Sequence, residues 1–236
     1  MPLTLRGVSH RYGPAMPWVV RGIDLEVADG ESVALIGPSG SGKTTLLSIL
    51  GLLTHPAEGE VLLDGERLGG RRGSAELRAR EFSWVFQTAN ALLRRTALEN
   101  AALQLISRGS ARVAAERVAA EELAKVGVGH LMARPARLLS GGELQRVCIA
   151  RALAAAPRWI LADEPTGQLD HATTLEVGRA LIEQRPIGTA VIIATHDPEV
   201  AARCGRTIRL VDGEIQPSPP APLPTRASRE RGGDRA

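Results

Sequence analysis

A glycine-rich segment near residue 40 constrains this chain more than any other part of it. Gly37-Pro38-Ser39-Gly40-Ser41-Gly42-Lys43-Thr44, continued by Thr45, follows a short apolar run, Ser32-Val33-Ala34-Leu35-Ile36, and opens a leucine-rich run over 43–53. A short apolar run closed by a glycine turn reads as a buried strand, and the run after it has helical spacing. The segment matches Gly, four residues, then Gly-Lys-Thr, in the strand–loop–helix context that gives this pattern its meaning. Its glycines let backbone N–H groups turn inward around phosphate oxygens. The helix N-terminus adds a dipole that favours an anion. Lys43 is placed to reach β- and γ-phosphates, and the Thr44 hydroxyl to hold Mg²⁺.

The rest of the chain is organised around this unit. Two alternating apolar runs, 3–9 and 19–27, flank Gly13-Pro14 and read as strands. Val61-Leu62-Leu63 before Asp64-Gly65 reads as a strand closed by a tight turn. From about 98 to 126 the composition shifts to Ala, Leu, Glu and Arg. Over 111–126, Arg112, Glu116, Arg117, Glu121, Glu122 and Lys125 are separated by apolar residues at helical spacing. Strand-like runs resume at Trp159-Ile160-Leu161-Ala162 and Ala190-Val191-Ile192-Ile193-Ala194. The expected class is α/β: a phosphate-loop core with a mostly parallel sheet, an antiparallel β subdomain, and a helical insertion over about 88–156. One domain is expected over 1–216. Five prolines between 217 and 224 open a tail, 217–236, expected to be disordered because it has little apolar surface to bury.

Composition excludes several alternatives. The longest stretch without a charged residue is 44–57, 14 residues, too short to cross a bilayer as a helix. The N-terminus lacks a basic-then-apolar leader, so a cytoplasmic location is expected. The net charge of +3 comes with only two lysines, Lys43 and Lys125, and 3% aromatics, so no nucleic-acid partner is expected. Cys148 and Cys204 are far apart and are expected to be small buried apolar residues.

A site that hydrolyses a nucleotide needs carboxylates at a strand edge. Asp163 ends the run 159–162 and Glu164 follows before Pro165, at the edge where open α/β sheets bind ligands. The division of labour is Asp163 on Mg²⁺ and Glu164 as general base. His196 follows the 190–195 run, and spacing alone leaves it either a loop residue or, in a phosphate site, a donor to the γ-phosphate or a group that orients the base. Leu139-Ser140-Gly141-Gly142-Glu143 opens a helical run over 144–156. Ser140 reads as its cap, and the bare N-terminus as either a helix start or a second anion site serving another subunit.

Together these segments resemble the ATP-binding subunit of an ABC transporter, over about 3–216. The resemblance rests on the phosphate loop from Gly37 to Thr45, Val85-Phe86-Gln87, the signature Leu139-Ser140-Gly141-Gly142-Glu143, the segment ending in Asp163-Glu164, Gly167-Gln168-Leu169-Asp170, and His196. It implies ATP and Mg²⁺ as ligands, Tyr12 stacking on adenine, and Gln87 with Thr44 and Asp163 at the metal. It also implies two chains facing head to tail, with Ser140, Gly141, Gly142 and Asp170 completing the partner's site. Phe86-Gln87, Asn90, Leu92-Leu93 and Thr96-Ala97-Leu98-Glu99-Asn100 resemble the lipoprotein-release, macrolide-efflux and peptide-export branch. That implies a permease on a separate chain, export or extraction of a lipophilic substrate, lipoprotein or peptide, and a peripheral place on the cytoplasmic face. Gln168 departs from the Asn common in that branch. The alternatives are a soluble ABC-type ATPase of translation or repair, which usually carries a second domain or an insertion, and a different phosphate-loop enzyme such as a kinase, which does not need the signature.

Overall fold

The computed structural model describes residues 2–68, 74–167, 169–183 and 185–216. Gln168 and the expected tail over 217–236 lie outside the described residues. Two sheets form the frame. One is antiparallel, in the order β2-β1-β4-β5, from β1 (Leu3–His10), β2 (Val20–Val27), β4 (Glu58–Leu63) and β5 (Glu66–Arg67). The other has six strands in the order β10-β9-β3-β8-β7-β6. Within it β9 (Arg206–Val211), β3 (Ser32–Ile36), β8 (Ala190–Ala194), β7 (Trp159–Asp163) and β6 (Phe82–Val85) run parallel. Only β10 (Glu214–Gln216) pairs antiparallel, across the Asp212-Gly213 turn.

The apolar runs of β7 and β8 are continuous because both faces of these strands are covered. Trp159, Leu161, Ala190, Ile192 and Ala194 face a core shared with the antiparallel sheet and helix α1 (Lys43–Leu50). Ile160, Ala162, Val191 and Ile193 face a second core. That core is built with α3 (Ala97–Ser107), α4 (Arg112–Lys125), α5 (Gly141–Ala154) and α6 (His171–Ile182). Alternate residues of one strand therefore belong to different cores, as strand pleating requires.

The helical stretch is not one run. Thr96 caps α3 in a capping box with Glu99, and Gly109 at φ 93 follows its end before α4 begins. A short helix, α2 (Ser74–Glu81), precedes β6 and was not legible in the sequence. Cys148 is buried as expected, but Cys204 is only half-buried, because it sits on the connection from α7 (Pro198–Arg203) to β9 rather than inside an element. Among the described residues no helix is long and apolar enough to cross a membrane.

The two sheets are tied at one end by Arg158, just before β7. Its Nε donates to Asp29 Oδ1 at 2.7 Å and its Nη1 to Asp64 Oδ2 at 2.8 Å. Burial opposes ionisation of Asp29, and the Arg158 hydrogen bond and charge overcome it, so this carboxyl titrates below the usual range. At Asp64 the Arg158 hydrogen bond is the leading cause of the same lowering. Depressed folded-state values mean a contribution fully present above the unfolded value, about pH 4, and lost as pH falls through the folded values. The groups are partly exposed, so the effect is modest. Arg158→Ala is expected to cost about 1 kcal/mol, about 2–4 °C in Tm at neutral pH, with the gap to wild type closing below about pH 4. Equal melting of the two proteins at neutral pH would remove this clamp from the account.

Candidate nucleotide site

The site grows from the C-terminal ends of β3, β8 and β7, which are neighbours. Thr195 N–H donates to Leu35 O at 3.1 Å, and Glu164 N–H donates to Ala194 O at 2.9 Å, so the residues after these strands are stitched side by side. With strands about 4.8 Å apart, the end of β7 lies about 10 Å from that of β3.

The loop after β3 is tight because glycine permits it. A Cβ on Gly37 would lie 2.0 Å from Leu210 O on β9. One on Gly42, at φ 100, would lie 2.7 Å from Val19 O. Gly42 is the N-cap of α1 and offers no side chain to its first amides. Lys43 Nζ donates to Gly37 O at 2.8 Å and Pro38 O at 3.1 Å. The Ser41 hydroxyl is buried without a hydrogen-bond partner. A ring of free helix amides, an orphaned buried hydroxyl and a lysine folded onto its own loop is the donor set a phosphate chain satisfies. Pro38, Ser39, Gly40 and Thr44 are exposed, and Thr45 is buried. A hollow of about 720 Å³ flanks this loop on the β9 side, lined by Gly37, Pro38, His196 and Arg209 but without Lys43 or Asp163, so the chemistry lies beside it rather than in it.

Asp163 is buried as the last residue of β7. Glu164 follows with φ 44, a left-handed conformation that costs a non-glycine residue about 1–3 kcal/mol. That turn aims its side chain at the neighbouring strand end. His196 Nδ1 lies 2.8 Å from Glu164 Oε2, and His196 N–H points at the same oxygen at 3.4 Å. Glu164 is mostly covered and His196 mostly exposed. His196 therefore touches the candidate base. Asp197 caps α7 by accepting from the Glu199 and Val200 amides, which holds the turn that carries His196.

Tyr12 sits on the connection after β1, exposed, with its hydroxyl 2.9 Å from Thr45 Oγ1. His10 stands edge-on to its ring, centroids 5.0 Å apart. The base-stacking candidate therefore adjoins the phosphate loop.

The other sequence candidates are placed elsewhere. Gln87 is exposed at the end of β6, three strands from β3 and so about 14 Å away. Ser140 caps α5, with Glu143 N–H donating to its Oγ at 3.3 Å and Ser140 N–H donating to Glu143 Oε2 at 2.7 Å. The Ser140 amide holds the Glu143 carboxyl below its usual range. No hydrogen bond among the described residues joins Ser140, Gly141 or Gly142 to the phosphate loop of the same chain. Asp170 caps α6 instead of facing the loop: it accepts from Thr173 N–H at 3.0 Å and Thr173 Oγ1 at 2.8 Å. Those bonds lower its pKa, the Thr173 amide foremost. Sequence reasoning missed the polar residues that support the Gln87 loop, Gln145 and Arg151. They sit mid-helix, where only the fold shows what they face.

The comparisons agree with this geometry. The family described as ABC transporter matches residues 20–167. The lipoprotein-releasing system ATP-binding protein LolD of Cereibacter sphaeroides is 44% identical over 219 residues, covering 90% of this chain and 98% of that protein. LolD of Ruegeria pomeroyi is 46% identical over 220 residues, covering 90% and 96%. The macrolide export ATP-binding/permease protein MacB of Wolinella succinogenes is 42% identical over 217 residues, 90% of this chain but 34% of that longer protein. The dimeric ATP-binding cassette MJ0796, in a post-hydrolysis state bound to ADP and Pi, aligns with a TM-score of 0.82 and 36% identity, covering 91% of this chain and 97% of that one. A phosphate loop, a strand-edge carboxylate pair and a histidine against Glu164 thus meet a family likeness that runs through all of them but the histidine, and relatives that span them all: the chain belongs to the ABC transporter family and is one of its ATP-hydrolysing cassettes.

Proposed function

We propose that this chain is the ATPase subunit of a transporter of the lipoprotein-releasing kind, that it powers a permease on a separate chain, and that it works as a dimer on the cytoplasmic face of the membrane. The observation that carries the proposal is the Glu164–His196 pair, held at 2.8 Å on strand ends next to the Lys43 loop. The LolD and MacB likenesses support lipoprotein or a similar amphiphile as the substrate class.

Mg²⁺ bound with ATP would supply positive charge against the oxygens of the transferring phosphoryl group. The residues present suit that pair: Thr44 and Asp163, with Gln87, offer oxygen ligands, and hard cations take oxygen. Lys43 exchanges the carbonyls of Gly37 and Pro38 for phosphate oxygens. Tyr12 offers its ring to adenine. His196 occupies Glu164 Oε2, which leaves Oε1 to accept a proton from the attacking water. Ser140, Gly141 and Gly142 make no hydrogen bond to their own chain's phosphate loop among the described residues, which supports their serving the site of a head-to-tail partner. Asp170 joins that interface from the start of α6.

A groove of about 560 Å³ lies beside the Gln87 loop, lined by Leu53, Phe82, Trp84, Phe86, Leu103 and Gln104. Trp84 and Phe86 stack there with centroids 5.3 Å apart. An aromatic-floored groove next to the Gln87 loop suits a cytoplasmic segment of the permease. The test is purification of the Glu164→Gln protein from native membranes with ATP and Mg²⁺. A stoichiometric integral membrane protein is expected in the eluate. Soluble partners alone, with the dimer formed, would move the chain to a non-transport ATPase.

A further inference from the structure

We infer that Gln145 and Arg151 are positioning residues through which helix α5 couples the two nucleotide sites of the dimer. The inference rests on the reading above, in which Gln87 serves its own chain's site and Ser140 the partner's. One helix then presents Ser140 to one site and holds the Gln87 loop of the other.

The grip is made of buried polar groups. Gln145 is 1% exposed, and its Nε2 donates to Phe86 O at 2.9 Å. Its Oε1 is buried without a partner, a penalty that an apolar residue would not carry, so the donor is what the position uses. Arg151 is 9% exposed. Its Nη1 donates to Asn90 O at 3.1 Å and its Nη2 to Asn90 Oδ1. No salt bridge to Arg151 occurs among the described residues, so a nearly buried guanidinium is spent on a loop carbonyl and a side-chain amide. Between the two on the helix sits Cys148, buried. Residues 145, 148 and 151 are a ridge at i, i+3 and i+6, the row by which helices fit against a neighbour.

The loop is thus held at Phe86 and at Asn90, and Gln87 lies exposed between them with its amide free of hydrogen bonds to the described residues. Strand β6 itself is anchored from another helix: Gln104 Nε2 donates to Phe82 O at 2.9 Å, and Ser83 Oγ to Gln104 Oε1 at 2.9 Å. From Ser140 to Arg151 the helix spans about 16 Å at 1.5 Å per residue. Its N-terminus is stiffened by the Ser140–Glu143 capping box. A shift of that end on engaging the partner's nucleotide is carried along a rigid element to the Gln87 loop.

The test measures ATPase rate against ATP concentration for the wild type, Gln145→Ala, Arg151→Ala, Arg151→Lys and Asn90→Ala, with ATP affinity of the monomer read by a fluorescent ATP analogue. A Hill coefficient above one is expected for the wild type. Gln145→Ala is expected to bring it to about one and to lower kcat about tenfold, within the range of couplings between sites, with monomer affinity changed by less than about twofold. Arg151→Lys, which keeps the charge and a donor, should recover most of what Arg151→Ala loses. Asn90→Ala removes one of the two acceptors of Arg151 and should shift cooperativity in the same direction as Arg151→Ala. A non-cooperative wild type overturns the inference. So does a Gln145→Ala protein with unchanged cooperativity, or one whose lost rate only tracks lost folded protein. If the wild type neither hydrolyses ATP nor dimerises with it, the underlying reading fails as well. If it does both and the variants match it, only the coupling fails.

Discussion

Replacing Glu164 with Gln slows ATP turnover by about 10²–10⁴-fold, the contribution of a positioned general base, and leaves ATP binding intact. The side chain keeps its shape, and its amide oxygen still accepts from His196, which lies 2.8 Å from Glu164 Oε2 in the native pair. What disappears is the oxygen proposed to take the water proton. The strained turn at φ 44 is retained, so folding is not the cause of the loss. An ATP-bound dimer should accumulate, the outcome expected where a dimer closes on ATP and reopens on hydrolysis. Phosphate release and size-exclusion chromatography with ATP and Mg²⁺ measure both effects. Turnover at the native rate would remove Glu164 as the base.

Lys43→Ala acts on binding instead. Its ammonium already forms two charge-assisted hydrogen bonds, to Gly37 O and Pro38 O, within a loop shaped to receive oxygens. Moving those donors to phosphate oxygens replaces neutral acceptors by charged ones, and such bonds contribute about 1.5–3 kcal/mol each. Loss of about 3 kcal/mol corresponds to about 100-fold weaker ATP binding. Isothermal titration of the variant against the wild type measures it, and equal affinities would contradict the assignment of the phosphate loop. Thermal stability should change little, since the two carbonyls lie at a partly exposed loop.

The elements that were legible are those whose pattern comes from local constraint. Strands β3, β7 and β8 are buried on both faces, so they read as unbroken apolar runs between turn signals. Helix α5 announces itself by Ser140 and Glu143, a capping box. Strand β9 is buried only at alternate positions, Ile208 and Leu210, with Arg206, Thr207 and Arg209 outward, and its short apolar signal is diluted by charge. Strand β6 has four residues between a charged helix and an exposed loop, too few for a period to register. Helix α2, rich in Arg and Glu, has no apolar stripe.

The same division holds at the site. Residue type and spacing alone made the phosphate loop legible: Gly, four residues, then Gly-Lys-Thr between an apolar run and a helical one. They also determined that a carboxylate pair ends a buried strand. Tertiary structure decided the rest. Glu164 and His196 are 32 residues apart, and Gln145 and Phe86 are 59 apart. Their meeting depends on the strand order β3-β8-β7-β6 and on α5 packing across β6. Short-range spacing carries information about caps, turns and periodicity. A hydrogen bond between distant residues exists only once the sheet has set which strand ends are neighbours.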